Sequence, residues 1–281
     1  MFEIGNDIVH PCHGAGTIVG VQEMTIGDHT ARYYVIDIPP KSMRVMVAVS
    51  RAEETGLRAI RSRVRLRELL SDAIDMASAE SIETDYTRRL ERYAAMLKEG
   101  SFKEVATVVV RLCLLRDRKQ LGMRDMTLYD HGRHMLAGEI ALAEGIDQVT
   151  ALNELDIELE QMARRIRLED ALTAEHEELD LADMLEKRDK RRSTWSRAVT
   201  NGETEQIVRA AVELTILSHL GPLVDSEREI LGEAQAALAR DAAEHMELSA
   251  SQARDYVLRR LDDAALRALH ADGPDDTDQL E

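Results

Sequence analysis

Residues 63–71 read RVRLRELLS and residues 165–173 read RIRLEDALT, so one segment recurs 102 positions further along the chain. Its apolar residues recur at i, i+3 and i+4, the spacing of an amphipathic helix. Unrelated helices would not share one ungapped register over six or so segments, so the sequence predicts two tandem all-α domains, residues 61–164 and 165–269. The same offset pairs Gly100 with Gly202, Val105 with Ile207, Leu112 with Leu214, and Leu159 with Leu261.

The first sixty residues follow a different pattern. β-branched runs at 8–9, 16–22, 31–38 and 43–49 are separated by Gly, Asp and Pro turn signals at 14–16, 27–28 and 39–40. Four or five short strands in about fifty residues can bury a core only by curling into a small barrel. Alternation within the last run puts the apolar Met46 on a face where solvent is expected. We therefore predict an α+β multidomain chain, with a β-barrel over residues 1–60 before the helical domains.

The charge becomes more acidic along the chain. Lys and Arg number 36 against 53 Asp and Glu, a net −17, and residues 1–62, 63–164, 165–266 and 267–281 carry −1, −4, −8 and −4. Phosphate binding requires clustered cations, so the total argues against a protein that coats nucleic acid, although a local basic patch is compatible with it. Residues 270–281 are predicted to form an acidic, disordered tail.

Two cysteines, Cys12 and Cys113, cannot build a disulfide framework, which fits a reducing cytosol. Cys113 falls in an apolar helix stripe and is predicted to be a core residue. No run approaches the ~18 apolar residues of a membrane span. We therefore expect a cytoplasmic protein without a membrane partner.

Residue patterns that carry catalysis are missing from the sequence. His10, Cys12 and His13 lie close together, but their spacing matches no zinc motif and no second pair follows. The other histidines lie without paired carboxylates at ligand spacing, and neither a nucleophile triad nor a phosphate-binding glycine loop stands out. We predict no enzymatic activity, no metal, no cofactor and no small-molecule substrate.

One basic cluster has an aromatic neighbour. Arg88, Arg89 and Arg92 lie within two turns of a helix that begins at Tyr86. These arginines can contact phosphates, pair with carboxylates along the helix, or form a solvated face, and composition favours the last two. In the second copy Trp195 aligns with Tyr93, and we predict that it is a packing residue.

Short motifs follow one another in a fixed order along the first 165 residues. Residues 2–16 read FEIGNDIVHPCHGAG, residues 45–49 read VMVAV, and residues 54–58 read ETGLR. The first helical copy continues with YTRRL at 86–90, MLKEG at 96–100, EVATVV at 104–109 and EIALAE at 139–144.

This order resembles the CarD/CdnL family of bacterial RNA polymerase-binding transcription regulators. The opening segment is also similar to the polymerase-interacting module of transcription-repair coupling helicases, but no helicase motifs follow it. LVDSEREIL at 223–231 shows that the second copy also resembles the helical domain of the family, which usually occurs once.

The resemblance implies a Tudor/SH3-like barrel that binds the β subunit of RNA polymerase. By position, the contact strand is 43–49, with Met46 and Ala48, and Met24 and Thr25 lie on the neighbouring edge. The helical domain of the family leans on promoter DNA at the upstream edge of the melted bubble, where a Trp wedges into the minor groove. Tyr86 stands at that Trp position, and Arg88, Arg89 and Arg92 complete the expected DNA-facing set.

We therefore predict a CarD-like regulator that binds the polymerase β subunit and modulates promoter open-complex formation, with weak promoter DNA contact by the first helical domain. The alternative is a polymerase-bound protein–protein adaptor whose acidic helical domains do not bind DNA.

Overall fold

In a computed structural model, residues 1–26, 29–38, 43–79, 82–174, 181–202 and 204–271 are described. The chain divides into two compact units, Met1–Ala163 and Arg164–Glu281. The turns predicted at 27–28 and 39–40, and nearly all of the predicted acidic tail, lie outside the described residues.

An antiparallel sheet of five strands forms the N-terminal part of the first unit, in the order β4-β3-β2-β1-β5. Ile8, Ile36 and Val47 are at the centre of its core, and a bulge between Ile18 and Gly20 interrupts the β2–β3 pairing. Because strands precede helices, the predicted α+β fold class is confirmed. The strands are β1 Asp7–His10, β2 Gly14–Ile26, β3 His29–Ile38, β4 Met43–Ala48 and β5 Arg58–Ala59.

Helices make up most of the remaining described chain, and the boundary between the two units falls within the sequence of the fifth helix. No helix in the described ranges is both long enough and apolar enough to cross a membrane. The helices are α1 Arg63–Ala79, α2 Tyr86–Glu99, α3 Phe102–Asp117, α4 Met123–Glu144, α5 Gln148–Thr173, α6 Leu181–Glu186, α7 Arg188–Asn201, α8 Thr204–Leu220, α9 Asp225–His245 and α10 Ala250–Ala271.

The helices of the two units begin at matching positions. Helices α2, α3, α4 and α5 begin 102 residues before α7, α8, α9 and α10, respectively. Gly100 and Gly202 end α2 and α7 in the left-handed conformation, each with φ near 72°, which glycine adopts without steric cost. Trp195 and Cys113 are buried, which confirms that both are packing residues.

Within the first unit, the sheet packs directly against the helices. Arg58 donates to both carboxylate oxygens of Glu139 on α4, at 2.6 and 2.7 Å, and to the carbonyl oxygen of Gly100 at 3.3 Å. A Cβ on Gly100 would lie 2.7 Å from Cα of Pro11, so only glycine permits this approach. The β-module and the first set of helices are therefore joined by a mostly buried ion pair and by close backbone contact.

Candidate functional site

The outer face of the sheet presents exposed methionines. Met24 and Met46 are each 39% exposed. Met46 pairs with Val35, and Ala48 pairs with Tyr33, so these side chains share one face of the pleated sheet. Met24 lies on that face too, because the strand register continues from β3 to β2. The core side chains point to the opposite face, so this apolar outer surface is open to a partner.

Thr25 does not belong to that surface. It follows Met24 in β2 and therefore points to the other side of the sheet, where its hydroxyl lies 2.9 Å from the hydroxyl of Thr30. In addition, β3 lies between β2 and β4, so Met24 and Thr25 are two strands away from Met46 and Ala48. Strand β4 is itself one edge of the sheet, and the backbone groups on its outer side are therefore not paired with a described strand.

A second exposed surface lies where α2 and α4 begin. Asp85 caps α2 by accepting a hydrogen bond from the backbone N–H of Arg88 at 2.9 Å. Tyr86, the first helical residue, is 43% exposed. Its ring rests against Gly122, where a Cβ would come within 3.2 Å of Cε2. The guanidinium carbon of Arg89 lies 5.5 Å from the ring centroid, a cation–π arrangement that holds the ring in place.

Arg89 departs from the expected DNA-facing set because it is only 6% exposed. Its Nε and Nη2 donate to the two oxygens of Asp125 at 3.3 and 2.9 Å, and its Nη1 donates to the carbonyl oxygen of Glu83 at 3.0 Å. The hydrogen bonds with Asp125 raise the pKa of Arg89 above its ordinary value. The guanidinium is thus paired with a carboxylate of another helix, α4, and not with one along its own helix as the sequence alternative has it, and Arg89 supports the Tyr86 ring.

Arg88 and Arg92 remain exposed, and neither forms an ion pair with any residue in the described ranges. Arg124 on α4 is likewise exposed and forms no ion pair with a described residue. Met123 beside it is 89% exposed. Neither Met123 nor Arg124 was predicted from sequence, because a single residue after a glycine gives no periodic signal. The useful clue is that both adjoin Gly122, against which the Tyr86 ring packs.

The second unit carries different residues at the aligned positions. Arg188 stands where the first unit has Tyr86, and it donates to both oxygens of Glu227, at 2.8 and 2.5 Å. This pairing raises the pKa of Arg188 and lowers that of Glu227. Arg191, aligned with Arg89, binds Asp183 and Glu213 at 2.8 and 3.0 Å. The start of α7 therefore presents an ion-paired arginine where α2 presents an aromatic ring.

Histidines line a small cleft between the sheet and α4. His13, His131 and His134 contribute to this cavity of about 230 Å³. Across the part of the chain that the structure describes, no group of three or more His, Cys, Asp or Glu residues is arranged to hold a metal ion. The cleft is therefore lined by histidine side chains that are not arranged as a metal site.

Comparison with known proteins identifies two domains in order. Residues 2–61 match the CarD-like/TRCF RID domain, and residues 73–156 match the CarD C-terminal domain, together just over half of the chain. The protein named "Putative transcription factor YdeB" from Bacillus subtilis (strain 168) is 26% identical over 148 residues, which cover 53% of this chain and 95% of that relative. The chain therefore belongs to the CarD-like family of RNA polymerase-associated transcription factors.

Proposed function

We propose that this protein binds the β subunit of RNA polymerase through its sheet and modulates promoter open-complex formation through the start of α2. The observation that carries the proposal is the mostly buried Arg58–Glu139 ion pair, which fixes the sheet to α4 within the one unit that bears both exposed surfaces. When the sheet binds the polymerase, the helices that hold Tyr86 are therefore held near the polymerase as well. The proposed activity is binding, with no catalytic step.

The polymerase contact uses Met24, Met46 and Ala48 on the outer face, together with the edge of β4. An exposed strand edge can accept a strand of a partner, and side chains on alternate positions then supply specificity. The two methionines suit this role because their flexible, polarizable side chains adapt to an apolar partner surface.

The DNA contact uses Tyr86, Arg88 and Arg92, and it is weak. A tyrosine ring stacks on an unpaired base, but its apolar surface is smaller than that of a tryptophan. Two arginines supply few phosphate contacts, and residues 63–164 carry a net −4 that repels DNA. Binding to the polymerase offsets this weakness, because it holds the tip of the helices at high local concentration beside the promoter.

We further propose the domain division 1–60, 61–164, 165–269 and 270–281, with the third segment a copy of the second. The constant offset between helix starts supports this division. The Arg188–Glu227 pair favours a different role for the second copy, because it leaves no exposed ring at the start of α7. That copy fits the adaptor function, in which an acidic helical domain binds another protein and not DNA.

Binding of the full chain to the isolated β-subunit lobe of RNA polymerase tests the proposal. We expect Met46→Glu to weaken this binding at least tenfold, because a charge would be buried in an apolar contact. Val64→Glu, on an exposed apolar residue of α1, is the matched control and should bind like wild type. Failure of the wild-type chain to bind the lobe would end the proposal, and an unchanged affinity of Met46→Glu would move the interface elsewhere on the sheet.

A further inference from the structure

Met123 is the most exposed large apolar side chain of the described residues after the N-terminal Met1, at 89% against 99%. Met126, one turn further along α4, is also exposed. Single exposed apolar residues are ordinary, but these two follow Gly122, the residue against which the half-exposed ring of Tyr86 packs. The three side chains share one location, the start of α4 around Gly122.

Helix geometry makes these side chains a continuous strip. Asp125 is fully buried against Arg89 and so fixes which side of α4 faces inward. With about 100° between successive residues, Gly122, Met126 and Met123 lie about 60°, 100° and 160° from Asp125, all in the same direction. Because the ring of Tyr86 rests on Gly122, the apolar surface runs from Tyr86 past Met126 to Met123. We call Tyr86, Met123 and Met126 the methionine tip.

Exposed cations occur on the same two helices as the methionine tip. Arg88 and Arg92 on α2 and Arg124 on α4 are exposed and pair with no carboxylate of the described residues, while the carboxylate of Asp85 next to Tyr86 caps α2. A partner that fits this surface offers apolar, stackable groups next to negative charge. Nucleobases freed from their stack, on a phosphate backbone, have both properties.

The second unit shows that this combination is not a by-product of the helix packing. Its residues at the aligned positions are Arg188, Asp225 and Arg228, and all three are charged. Arg188 is paired with Glu227, and Arg228 with Asp225. The same backbone arrangement thus occurs without an apolar strip, so packing does not require one.

We propose that Met123 and Met126 extend Tyr86 into one apolar surface that contacts unstacked bases at the edge of a melted duplex. The inference rests on the proposed promoter contact and adds two residues to it. Methionine suits the task because its unbranched, polarizable side chain fills irregular gaps, such as a partly opened base step. The strip supplies apolar area that the tyrosine ring alone lacks.

Affinity for two DNA duplexes tests the proposal, with the full chain and labelled DNA. One is a fork-junction duplex with an unpaired end, and the other is the fully paired duplex of the same length. We expect the double variant Met123→Ser/Met126→Ser to bind the fork about three- to tenfold more weakly and the paired duplex within about twofold of wild type. Met123→Leu/Met126→Leu should retain fork binding, and Val149→Ser, at an exposed apolar site on α5, should behave as wild type.

Methionine oxidation provides an independent readout. Dilute hydrogen peroxide converts exposed methionines to sulfoxides, which peptide mass spectrometry quantifies. We expect fork-junction DNA to slow oxidation of Met123 and Met126 and to leave that of Met24 and Met46 unchanged. Equal oxidation with and without bound DNA would overturn the inference, as would equal losses of the Ser variant on both duplexes.

The two levels of the proposal fail in different ways. If wild type does not bind the fork more tightly than the paired duplex, the DNA half of the proposed function fails and the inference fails with it. If wild type prefers the fork and the Ser variant binds it equally well, only the inference is overturned.

Discussion

Helix α2 begins with Tyr86, and helix α7 begins with Arg188 at the aligned position. Both helices lie against a fully buried carboxylate, Asp125 in the first unit and Glu227 in the second. A buried carboxylate needs a cationic partner, and each copy provides one arginine that binds it through two hydrogen bonds. The copies differ in where that arginine stands.

In the first copy the arginine is Arg89, one turn into the helix, which leaves the first helical position free for an exposed ring. In the second copy the first helical position is itself the arginine. The same requirement for charge pairing is therefore met in two ways, and only one of them leaves a surface that can stack on a base. The two copies thus keep the same arrangement of helix starts while presenting different side chains there.

The two copies also differ in the charge of the residue that faces a buried aromatic side chain. Tyr93 in the first copy is buried near Arg111, and burial raises the pKa of its hydroxyl while the arginine charge opposes that rise. In the second copy Trp195 donates its indole N–H to Glu213 at 2.7 Å. The aromatic residue is kept in both, and the polar residue facing it changes sign.

The largest expected effect comes from removing the buried carboxylates. Asp125→Ala should destabilise the first unit by about 3–5 kcal/mol, because Arg89 is left buried without a counter-charge. Glu227→Ala should cost about 1–2 kcal/mol in the second unit, because Arg188 is only partly buried and can reach water. Denaturant titration of the full chain, with hydrogen exchange to assign each transition to a unit, measures both. Equal losses would mean that the two pairs are equivalent.

Neutralising a second pair of aligned carboxylates, Glu139 and Asp241, should change the free energy of unfolding in opposite directions. Glu139→Gln breaks the pair with Arg58 and should destabilise the first unit by about 2–3 kcal/mol. Asp241, at the aligned position, has a pKa raised above its ordinary value of 3.8, chiefly because burial penalises its charge. The neighbouring charges are His245, Arg167, Arg164 and Glu244. Asp241→Asn should therefore stabilise the second unit at neutral pH.

The pH dependence follows from the direction of that shift. A carboxyl whose pKa is higher in the folded state binds its proton more tightly when folded, so its ionisation at neutral pH reduces stability. That penalty disappears as the pH falls through the raised pKa toward 3.8. The advantage of Asp241→Asn should thus shrink in acid, as measured by denaturant unfolding at pH 7 and pH 4. A destabilising effect at pH 7 would show that the contact with His245 outweighs burial.

The affinity for fork-junction DNA should depend on the first residue of α2 and not on the first residue of α7. Tyr86→Ala should weaken binding about tenfold, at the low end of what one stacked base contributes, and Tyr86→Phe should retain most of it. Arg188→Lys, which keeps the charge beside Glu227, should leave the affinity unchanged. Fluorescence anisotropy on the full chain distinguishes these variants, and an equal effect of both substitutions would remove the contrast between the copies.

The smallest effect concerns phosphate contacts. Arg88→Ala/Arg92→Ala should reduce affinity a few-fold and lower the slope of log affinity against log salt by about 1.8, because about 0.9 counterion is released per phosphate contact. Lys190→Ala, at the position aligned with Arg88, should change neither. Titrations at several salt concentrations measure the slope, and an unchanged slope for the arginine variant would show that these side chains do not contact phosphates.

Local patterns in the sequence predict the elements well. The register of the repeat gives the starts of α7 to α10 from those of α2 to α5, because helix caps and apolar stripes are local features. Alternation in β4 correctly predicts that Met46 is exposed and Val47 is buried. Burial of Trp195 follows from its alignment with Tyr93.

Local sequence patterns do not predict pairings between residues that are distant in the sequence. Arg89 resembles a phosphate ligand in sequence, and only its contact with Asp125, 36 residues away, shows that it is occupied. Likewise, strand order is a tertiary property, so the separation of Met24 from β4 by β3 cannot be read from the strands themselves. The methionine tip depends on α2 and α4 meeting at Gly122, which no local pattern encodes.

The central claim is that the first copy meets promoter DNA and the second does not. Met123 and Asp225 are aligned, exposed and first in their helices, so each can carry a photo-crosslinking p-benzoyl-phenylalanine in the full chain bound to a polymerase open complex. We predict crosslinks from position 123 to DNA at the upstream edge of the melted region, lost when Met46→Glu is added, and none from position 225. Crosslinks from position 225 alone, or equal crosslinks from both, would contradict the account.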